Sequence, residues 1–368
     1  MKFTVNKKDI IDVLSKIQGL TGHKGSLTIT ETVLITASDT GISLTATDLE
    51  TGFEGTYPAV VETPGSIAIN AKKLYEIVKN FPVDNITIEE TENNWIAIGN
   101  DKVEYNIVGM SPDDFPDVPK MKEINFLSVD SGSLKTMIDR SLIICSSGDT
   151  RAHIKGVLLE TTSNIAKMVS TDGARLSVVN CTIDSGLPPN LIPDISVLIP
   201  KKALSEVSKF LSREGSVQIG VESNNFVIKK DRETFIVRLL EGEFPDYRAI
   251  SEDKGDVISF DKKLFLMMMK RMSIMSSDIY RGAVFNFIED RLTITTTNPD
   301  IGESKEKMDI EYKKEPIEVS FNVKYFAETL HAVESERVNI QIISAEGPCK
   351  IEGEDDKSFI SVIMPINL

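Results

Sequence analysis

The sequence lacks the features that define several whole classes of protein. Its three cysteines are odd in number and far apart, which fits reduced thiols better than a disulfide framework. No apolar run approaches the roughly 20 residues that a membrane-spanning helix needs. The first residues have neither the apolar core nor the small-residue cleavage site of a secretory signal. These absences predict a cytoplasmic protein.

Catalytic and metal-binding motifs are also missing. The chain has only three histidines, and no two of them stand at a metal-ligand spacing. A phosphate-binding GxxxxGK[ST] loop, a GxGxxG turn, HExxH, CxxC and GxSxG are all absent. We therefore predict a protein without catalytic activity, cofactor or metal.

Positive charge is scarce overall. The 41 Lys and Arg residues are outnumbered by 56 Asp and Glu residues, which gives a net charge of −15. Taken alone, this balance argues against a nucleic-acid ligand, because proteins that bind nucleic acid usually carry a basic surface.

What the sequence does contain is a threefold internal repeat with a nearly constant spacing. Three signals recur: a capped helix after a strand, a second strand-to-helix entry, and a strand that ends in Thr-Asp or Thr-Asn. Their positions are Asn6, Asp130 and Asp261, then Asn70, Pro200 and Asn322, then Thr47, Thr171 and Thr297. This period predicts three domains, 1–124, 125–252 and 253–368.

Two helix entries in each domain indicate two similar halves. Behind Asn6, apolar residues at Ile10, Val13, Leu14 and Ile17 have the spacing of an amphipathic helix. The segments between helices alternate in the manner of antiparallel strands joined by short turns. The predicted fold class is α+β, with each half a βαβββ-like unit of antiparallel strands and one helix.

The basic residues are concentrated on the predicted helices. The segments that follow the six helix entries are 7–17, 71–81, 131–141, 201–211, 262–272 and 323–333. Together they contain 16 Lys and Arg but only 6 Asp and Glu. A basic helical face on an acidic body would bind phosphates without reading base sequence. The alternative is that lysine is simply a good helix former on a solvated surface.

Several segments resemble the bacterial sliding clamp family, the beta subunits of DNA polymerase III. They are MKFTV, TDLE, INAKKL, TRAHIKGVLLE, STDGARLSVV, GEFPDYR, YRGAV, FNVKYF and the final VIMPINL. The resemblance implies a homodimeric, head-to-tail ring with helices inside and sheets outside. Such a ring encircles double-stranded DNA and tethers the replicative polymerase, the clamp loader and repair proteins.

The resemblance, together with the basic helices, gives candidate DNA contacts. They are Lys24, Lys72, Lys73, Arg151, His153, Lys201, Lys202, Lys263, Lys270 and Arg271. Other clamps often have an aromatic pair where this chain has Ala152 and His153, so base stacking is not expected there.

The resemblance also implies a pocket for a short partner peptide between the second and third domains. The matching positions are Ile154, Thr171, Gly173, Ala174, Arg175, Leu176, Pro245, Ile250, Val362, Met364, Pro365, Ile366 and Leu368. The alternative is that these are ordinary core residues. Ala174, Ala249 and Asn367 replace larger or basic residues common in the family, which favours a less polar pocket.

Subunit contacts would join the end of the first domain to the start of the third. The family's apolar interface positions correspond to Tyr105 and Ile107 on one side and to Ile274 and Met275 on the other. A core role remains an alternative for them. For the whole chain, a hydrolase or transferase on repeated domains and a scaffold that binds only proteins are the other candidate functions.

Overall fold

A computed structural model describes residues 1–21, 27–119, 124–144, 151–183, 192, 194–251, 257–277, 281–342 and 344–367. The chain divides into two compact units. Unit 1 comprises Met1–Lys135, Ile183–Pro193 and Lys202–Leu239, and unit 2 comprises Thr136–Thr182, Asp194–Lys201 and Leu240–Leu368.

The described residues form eight α-helices and twenty-five strands. The helices are α1 Lys7–Thr21, α2 Ala71–Asn80, α3 Ser131–Ser141, α4 Ala152–Lys155, α5 Lys201–Phe210, α6 Arg248–Ser251, α7 Lys262–Met272 and α8 Val323–Ala332. The strands are β1 Lys2–Asn6, β2 Thr32–Ser38, β3 Gly41–Thr47, β4 Thr51–Tyr57, β5 Ala59–Thr63, β6 Gly65–Asn70, β7 Asn85–Glu90, β8 Trp95–Gly99, β9 Glu104–Val108, β10 Leu127–Asp130, β11 Gly156–Thr162, β12 Ile165–Thr171, β13 Arg175–Thr182, β14 Ile195–Pro200, β15 Ser216–Glu222, β16 Asn225–Lys230, β17 Glu233–Arg238, β18 Val257–Asp261, β19 Gly282–Ile288, β20 Arg291–Asn298, β21 Gly302–Asp309, β22 Ile317–Asn322, β23 Arg337–Ile342, β24 Cys349–Gly353 and β25 Phe359–Ile363.

The six longer helices begin directly after the residues that the repeat predicts. Side-chain oxygens of Asn70, Asp261 and Asn322 accept hydrogen bonds from backbone amides in the first turn of α2, α7 and α8. Asp130 accepts in the same way from Ser133 N at 2.7 Å. These caps satisfy amides that have no partner within the helix, so they define where each helix starts.

All strand pairs are antiparallel, which confirms the predicted α+β class. Unit 1 contains a sheet in the order β10-β15-β16-β17-β4-β3-β2-β6, and unit 2 contains one in the order β18-β23-β24-β25-β13-β12-β11-β14. Each of these eight-stranded sheets joins four strands of one repeat to four strands of the preceding repeat. The junction is β17 against β4 in unit 1 and β25 against β13 in unit 2.

Each unit also contains a smaller sheet. Unit 1 has β5-β1-β7-β8-β9, and unit 2 has β21-β20-β19-β22. The pairing of strands across repeat boundaries was not predicted from the sequence. The halves of the second repeat consequently belong to different sheets.

Candidate functional sites

The first candidate site lies in unit 2, at the junction of β13 and β25. Leu176 is paired with Val362 across this junction. Beyond the paired strands, Met364 N donates to Ala174 O at 2.9 Å, and Ile366 N donates to Ser320 O at 2.9 Å. These backbone hydrogen bonds attach residues 364–366 to the turn before β13 and to β22.

A tight turn before β13 positions Gly173 and Ala174. Gly173 has φ +89°, a left-handed conformation that favours glycine. Thr171 Oγ1 accepts from Gly173 N at 3.0 Å, and Asp172 Oδ1 accepts from the amides of Ala174 and Arg175, each at 3.0 Å. The turn therefore presents Gly173 and Ala174 at the end of the junction, and a Cβ on Gly173 would lie 4.0 Å from Ile154 Cδ1.

Arg175 is buried and fully engaged. Its guanidinium donates to Asp172 at 2.9 Å and to Glu328, and it lies 4.1 Å from the centre of the Tyr325 ring. A third hydrogen bond of 3.3 Å reaches Ile143 O. Arg175 thus ties the turn to α8 and to the segment that follows α3, and it supports the candidate pocket instead of presenting a charge to a ligand.

An apolar cluster extends across the sheet of unit 2 from β14 to β25. Its buried members are Leu158, Val169, Leu176, Val178, Leu198, Tyr247 and Val362, with Leu240, Phe244 and Ile360 packed against them. Tyr247 donates to Glu160 at 2.5 Å. Burial, followed by this hydrogen bond to a carboxylate, raises the pKa of Tyr247, so the phenol stays protonated and the donor is retained.

Two cavities open on unit 2. One, of about 430 Å³, lies at β11, β14 and the 242–248 loop, where it is lined by Leu158, Leu198, Phe244, Pro245 and Tyr247 together with polar residues of the same three segments. The other, of about 580 Å³, is lined among others by Ala174, Asn322, Tyr325 and Ile366. Five of the predicted pocket residues belong to these features. Pro245 lines the first cavity, Ala174 and Ile366 line the second, and Leu176 and Val362 are members of the apolar cluster.

The corresponding junction in unit 1 has the same backbone but a different surface. Arg238 N donates to Glu50 O at 2.8 Å, as Met364 N does to Ala174 O. Where unit 2 has Leu176, Val169 and Val178, the aligned positions of unit 1 are Gly52, Thr45 and Glu54. The apolar groove is thus a feature of the unit 2 junction.

The structure brings together most of the predicted pocket residues. Ile154, Thr171, Arg175, Leu176 and Val362 are buried, whereas Ile250 and Met364 are 43% and 38% exposed. Leu368 lies outside the described residues. Sequence reasoning missed several lining residues, namely Leu158, Leu198, Phe244, Tyr247, Asn322 and Tyr325. Phe244 could have been found, because Phe-Pro-Asp recurs at 115–117 and 244–246.

The second candidate site is the set of basic helix residues. Lys72, Lys73, Lys202, Lys263, Lys270 and Arg271 are exposed, as is Arg151. His153 is half-buried, with its ring centre 6.5 Å from that of Phe244. Lys24 lies outside the described residues.

Lys201 is a wrong prediction. Its side chain is buried, and Nζ donates to Thr171 O at 3.1 Å. The ammonium group supports the turn before β13 and does not lie on the surface, so it is not available to a phosphate.

The exposed basic residues differ in their pairing. Lys73 pairs with Glu76 at 3.0 Å, Lys202 with Asp48 at 2.7 Å, and Arg271 with Glu306. Within the described part of the chain, Lys72, Lys263 and Lys270 take part in no ion pair. Their charge is therefore the least neutralised and the most available to phosphates.

The candidate subunit contacts lie at the surface. Tyr105 and Ile274 are 39% and 71% exposed, and Ile107 and Met275 are half-buried. No helix in the described ranges is long and apolar enough to span a membrane. The same ranges hold no group of three His, Cys, Asp or Glu side chains able to bind a metal ion.

Three models of the DNA polymerase III beta subunit match successive segments of the chain. The N-terminal domain model matches residues 1–119, the central domain model residues 128–246 and the C-terminal domain model residues 247–367. The chain belongs to the DNA polymerase III beta subunit family.

Individual relatives agree over the full length. The beta sliding clamps of Vibrio cholerae and Chlamydia pneumoniae are 26% and 28% identical, with 100% of this chain covered and 100% and 99% of theirs. The crystal structures of the Pseudomonas aeruginosa DNA polymerase III beta subunit and of the Bacillus subtilis sliding clamp each match with a TM-score of 0.93. They are 26% and 25% identical, and the match covers 100% of this chain and 100% and 99% of theirs.

Proposed function

We propose that two copies of this chain close head to tail into a ring that encircles duplex DNA. The family is that of the beta sliding clamp, a non-catalytic processivity factor. The alternative of a hydrolase or transferase on repeated domains is therefore wrong. The domains of this chain would span 1–124, 125–252 and 253–368. Because the DNA that the ring would encircle is the nucleoid DNA, we propose that the protein is cytoplasmic and associated with the nucleoid.

The observation that carries the DNA assignment is the position of the positive charge. Exposed, unneutralised lysines lie on helices of a chain whose net charge is −15. Such lysines release counterions from the phosphate backbone without reading sequence, while the acidic remainder repels DNA. A closed ring holds DNA by topology, so these contacts can stay weak and the ring can slide.

The apolar groove at the β13–β25 junction is the proposed docking site for partner proteins. A short extended peptide would place apolar side chains against Leu176 and Val362 and around Met364. Apolar clusters flanked by a few fixed polar groups are the usual form of such sites. Methionine suits a surface that accepts several partners, because its side chain adapts its shape. The replicative polymerase, the clamp loader and repair proteins are the proposed occupants.

The ring is tested by comparing circular with linear DNA. A loader from a related system, with ATP, places the protein on nicked circles, and gel filtration at raised salt follows before and after linearisation. We expect the protein to remain on circles and to leave cut DNA. Equal loss from both, with a loader shown to work on its own clamp, would favour the scaffold that binds only proteins.

The groove is tested with griselimycin, the compound bound in a Pseudomonas aeruginosa sliding clamp structure of TM-score 0.92 and 26% identity. Met364→Ala should weaken binding about tenfold, because a methionine that becomes covered by the bound compound contributes roughly 1–2 kcal/mol more than alanine. Arg238→Ala is the matched control, since Arg238 occupies the aligned position at the unit 1 junction. Calorimetry that gives equal affinities for both variants would place the compound elsewhere.

A further inference from the structure

Helix α7 contains more apolar residues than its buried face requires. Six apolar side chains follow one another in it, in the order Leu-Phe-Leu-Met-Met-Met. Burial accounts for Phe265, Met268 and Met269, which are at most 1% exposed. Leu264 and Met267 remain 57% and 46% exposed, so packing within unit 2 does not explain why these two positions are apolar.

The other repeats have polar residues at the same two positions of the helix. Leu264 and Met267 are the third and sixth residues after Asp261, which corresponds to Asn6 and Asp130 in the repeat. The aligned pairs are Asp9 and Asp12 in α1 and Ser133 and Thr136 in α3. Acidic and hydroxyl side chains are therefore compatible with this helix face, and among these three helices the apolar pair is specific to α7.

The aligned positions also stay open where two repeats share a sheet. In unit 1 the strands of two repeats are joined through β17 and β4, yet the side chain of Asp12 is 72% exposed. Asp9 is exposed as well. A subunit that extended the sheet beside α7 in the same way would leave Leu264 and Met267 uncovered. The apolar pair therefore needs an occupant other than a second copy of this chain.

Positive charge surrounds the apolar pair. Because successive helix residues are about 100° apart, five exposed residues of α7 fall within a stripe about 120° wide. They are Lys263, Leu264, Met267, Lys270 and Arg271. Met267 is near the middle of the stripe, and Lys263 and Lys270 take part in no ion pair within the described ranges. Such a face fits a ligand in which negative charge and apolar surface alternate.

We propose that Leu264 and Met267 lie over the minor groove of the duplex inside the proposed ring, against the sugars that form the walls of the groove. Lys263 and Lys270 are separated by two helical turns, which is about 10 Å along the axis. The minor groove is about 6 Å wide, so the two ammonium groups can bind phosphates on its opposite sides. The inference rests on the proposed function and adds to it a contact that does not depend on charge.

Deoxyribose has the chemistry that this contact requires. Its C–H groups present an apolar surface at every nucleotide, between the charged phosphates. Leucine and methionine are among the apolar side chains that proteins place in the minor groove. Because the sugars are the same at every step, the contact carries no sequence information and is renewed as the ring slides. It releases no counterions, so it keeps its strength at salt concentrations that weaken the lysine contacts.

The test gives α7 the side chains that α3 has at the aligned positions. We expect Leu264→Ser combined with Met267→Thr to weaken binding to a short A·T-rich duplex about tenfold at every salt concentration. The slope of the logarithm of the binding constant against the logarithm of the salt concentration should not change, whereas Lys263→Glu should make it shallower. Val60→Thr alters an exposed apolar residue on β5 and should have no effect. Fluorescence anisotropy measures all four proteins.

Netropsin, a small molecule that fills the minor groove of A·T-rich DNA, locates the contact. The tenfold difference between the original chain and the double variant should disappear on filled DNA. A difference that persists there, or equal affinities for free DNA, would overturn the proposal. Equal affinities with slower loading by a clamp loader would assign the face to that protein, and a weaker dimer in sedimentation would assign it to the subunit contact. An original chain that binds no duplex at low salt would instead overturn the proposed function.

Discussion

Arg140 and Asp356 form a buried ion pair between α3 and the loop that joins β24 to β25. Arg140 Nη2 lies 2.6 Å from Asp356 Oδ2, and Nη1 donates to Ser358 Oγ at 2.8 Å. Burial alone would raise the pKa of Asp356, but the hydrogen bonds from Ser358 and Arg140 outweigh it, so the pKa lies below its ordinary value. The folded protein therefore prefers the ionised carboxylate.

Asp356→Asn should lower the free energy of unfolding by about 2 kcal/mol near pH 7, because it removes the nearer of the two carboxylates beside the buried Arg140 and leaves only Glu334, 3.5 Å from Nη2. A carboxyl group with a lowered folded pKa contributes stability above its unfolded value, and that stability is lost as pH falls through the folded pKa. The difference between the two proteins should be constant above about pH 5 and should shrink below about pH 4. Denaturant unfolding across this range measures it, and a difference that does not change with pH would assign the loss to packing.

The helix caps were predictable from the sequence, because the start of a helix depends on neighbouring residues: a polar cap followed by an amphipathic run. Lys201 was wrongly predicted to be an exposed DNA contact because its neighbours in the sequence are basic and polar. Comparison of the repeats would have indicated that its position is buried. Lys201 is the first residue of its helix, and the aligned residues are Ala71 and Val323, both fully buried. A position that is apolar in two repeats is a buried position in the third.

At the scale of the helices, the position of a lysine should decide whether it contributes to DNA binding. Lys72→Glu combined with Lys263→Glu should weaken binding to short linear duplex at low salt roughly tenfold. The slope of the logarithm of the binding constant against the logarithm of the salt concentration should decrease by the equivalent of about two phosphate contacts. Lys313→Glu makes the same type of change on an exposed loop and should have little effect. Fluorescence anisotropy, with the dimer verified by sedimentation, measures both. An equal loss from the loop variant would mean that only total charge matters.

The strands were predictable as elements, since turns such as Ser38–Gly41 and Ile288–Arg291 stand between alternating segments. Their partners at the junctions were not. β4 pairs with β17 and β13 with β25 although each pair comes from distant parts of the sequence, and no local pattern marks such a pairing. The cavity-lining residues Tyr247 and Tyr325 were missed for the same reason, because the groove exists only once the junction has formed.

At the scale of the whole molecule, successive repeats share sheets and aromatic packing. Phe53 of β4 lies against Phe210 and Phe235, with ring centres 5.0 and 5.1 Å away. The expressed fragment 125–252 would lose Phe53 and would leave β13 and β17 as open edges. We expect it to aggregate or to lack a cooperative unfolding transition, because exposed edges and uncovered aromatic residues promote association. A monomeric fragment that melts cooperatively would show that each repeat folds alone.

The proposed groove combines a fixed strand with a side chain that can rotate. β25 is paired on one side with β13 and on the other with β24, so the floor beneath Val362 cannot widen without breaking a sheet. Just beyond the strand, Met364 is exposed on an unbranched side chain that rotates in picoseconds to nanoseconds. In the proposed docking site, a new occupant would be fitted by rotamer changes of such side chains. Under the proposed function, successive partners would be exchanged on one subunit as fast as they dissociate, while the sheet beneath them stays unchanged.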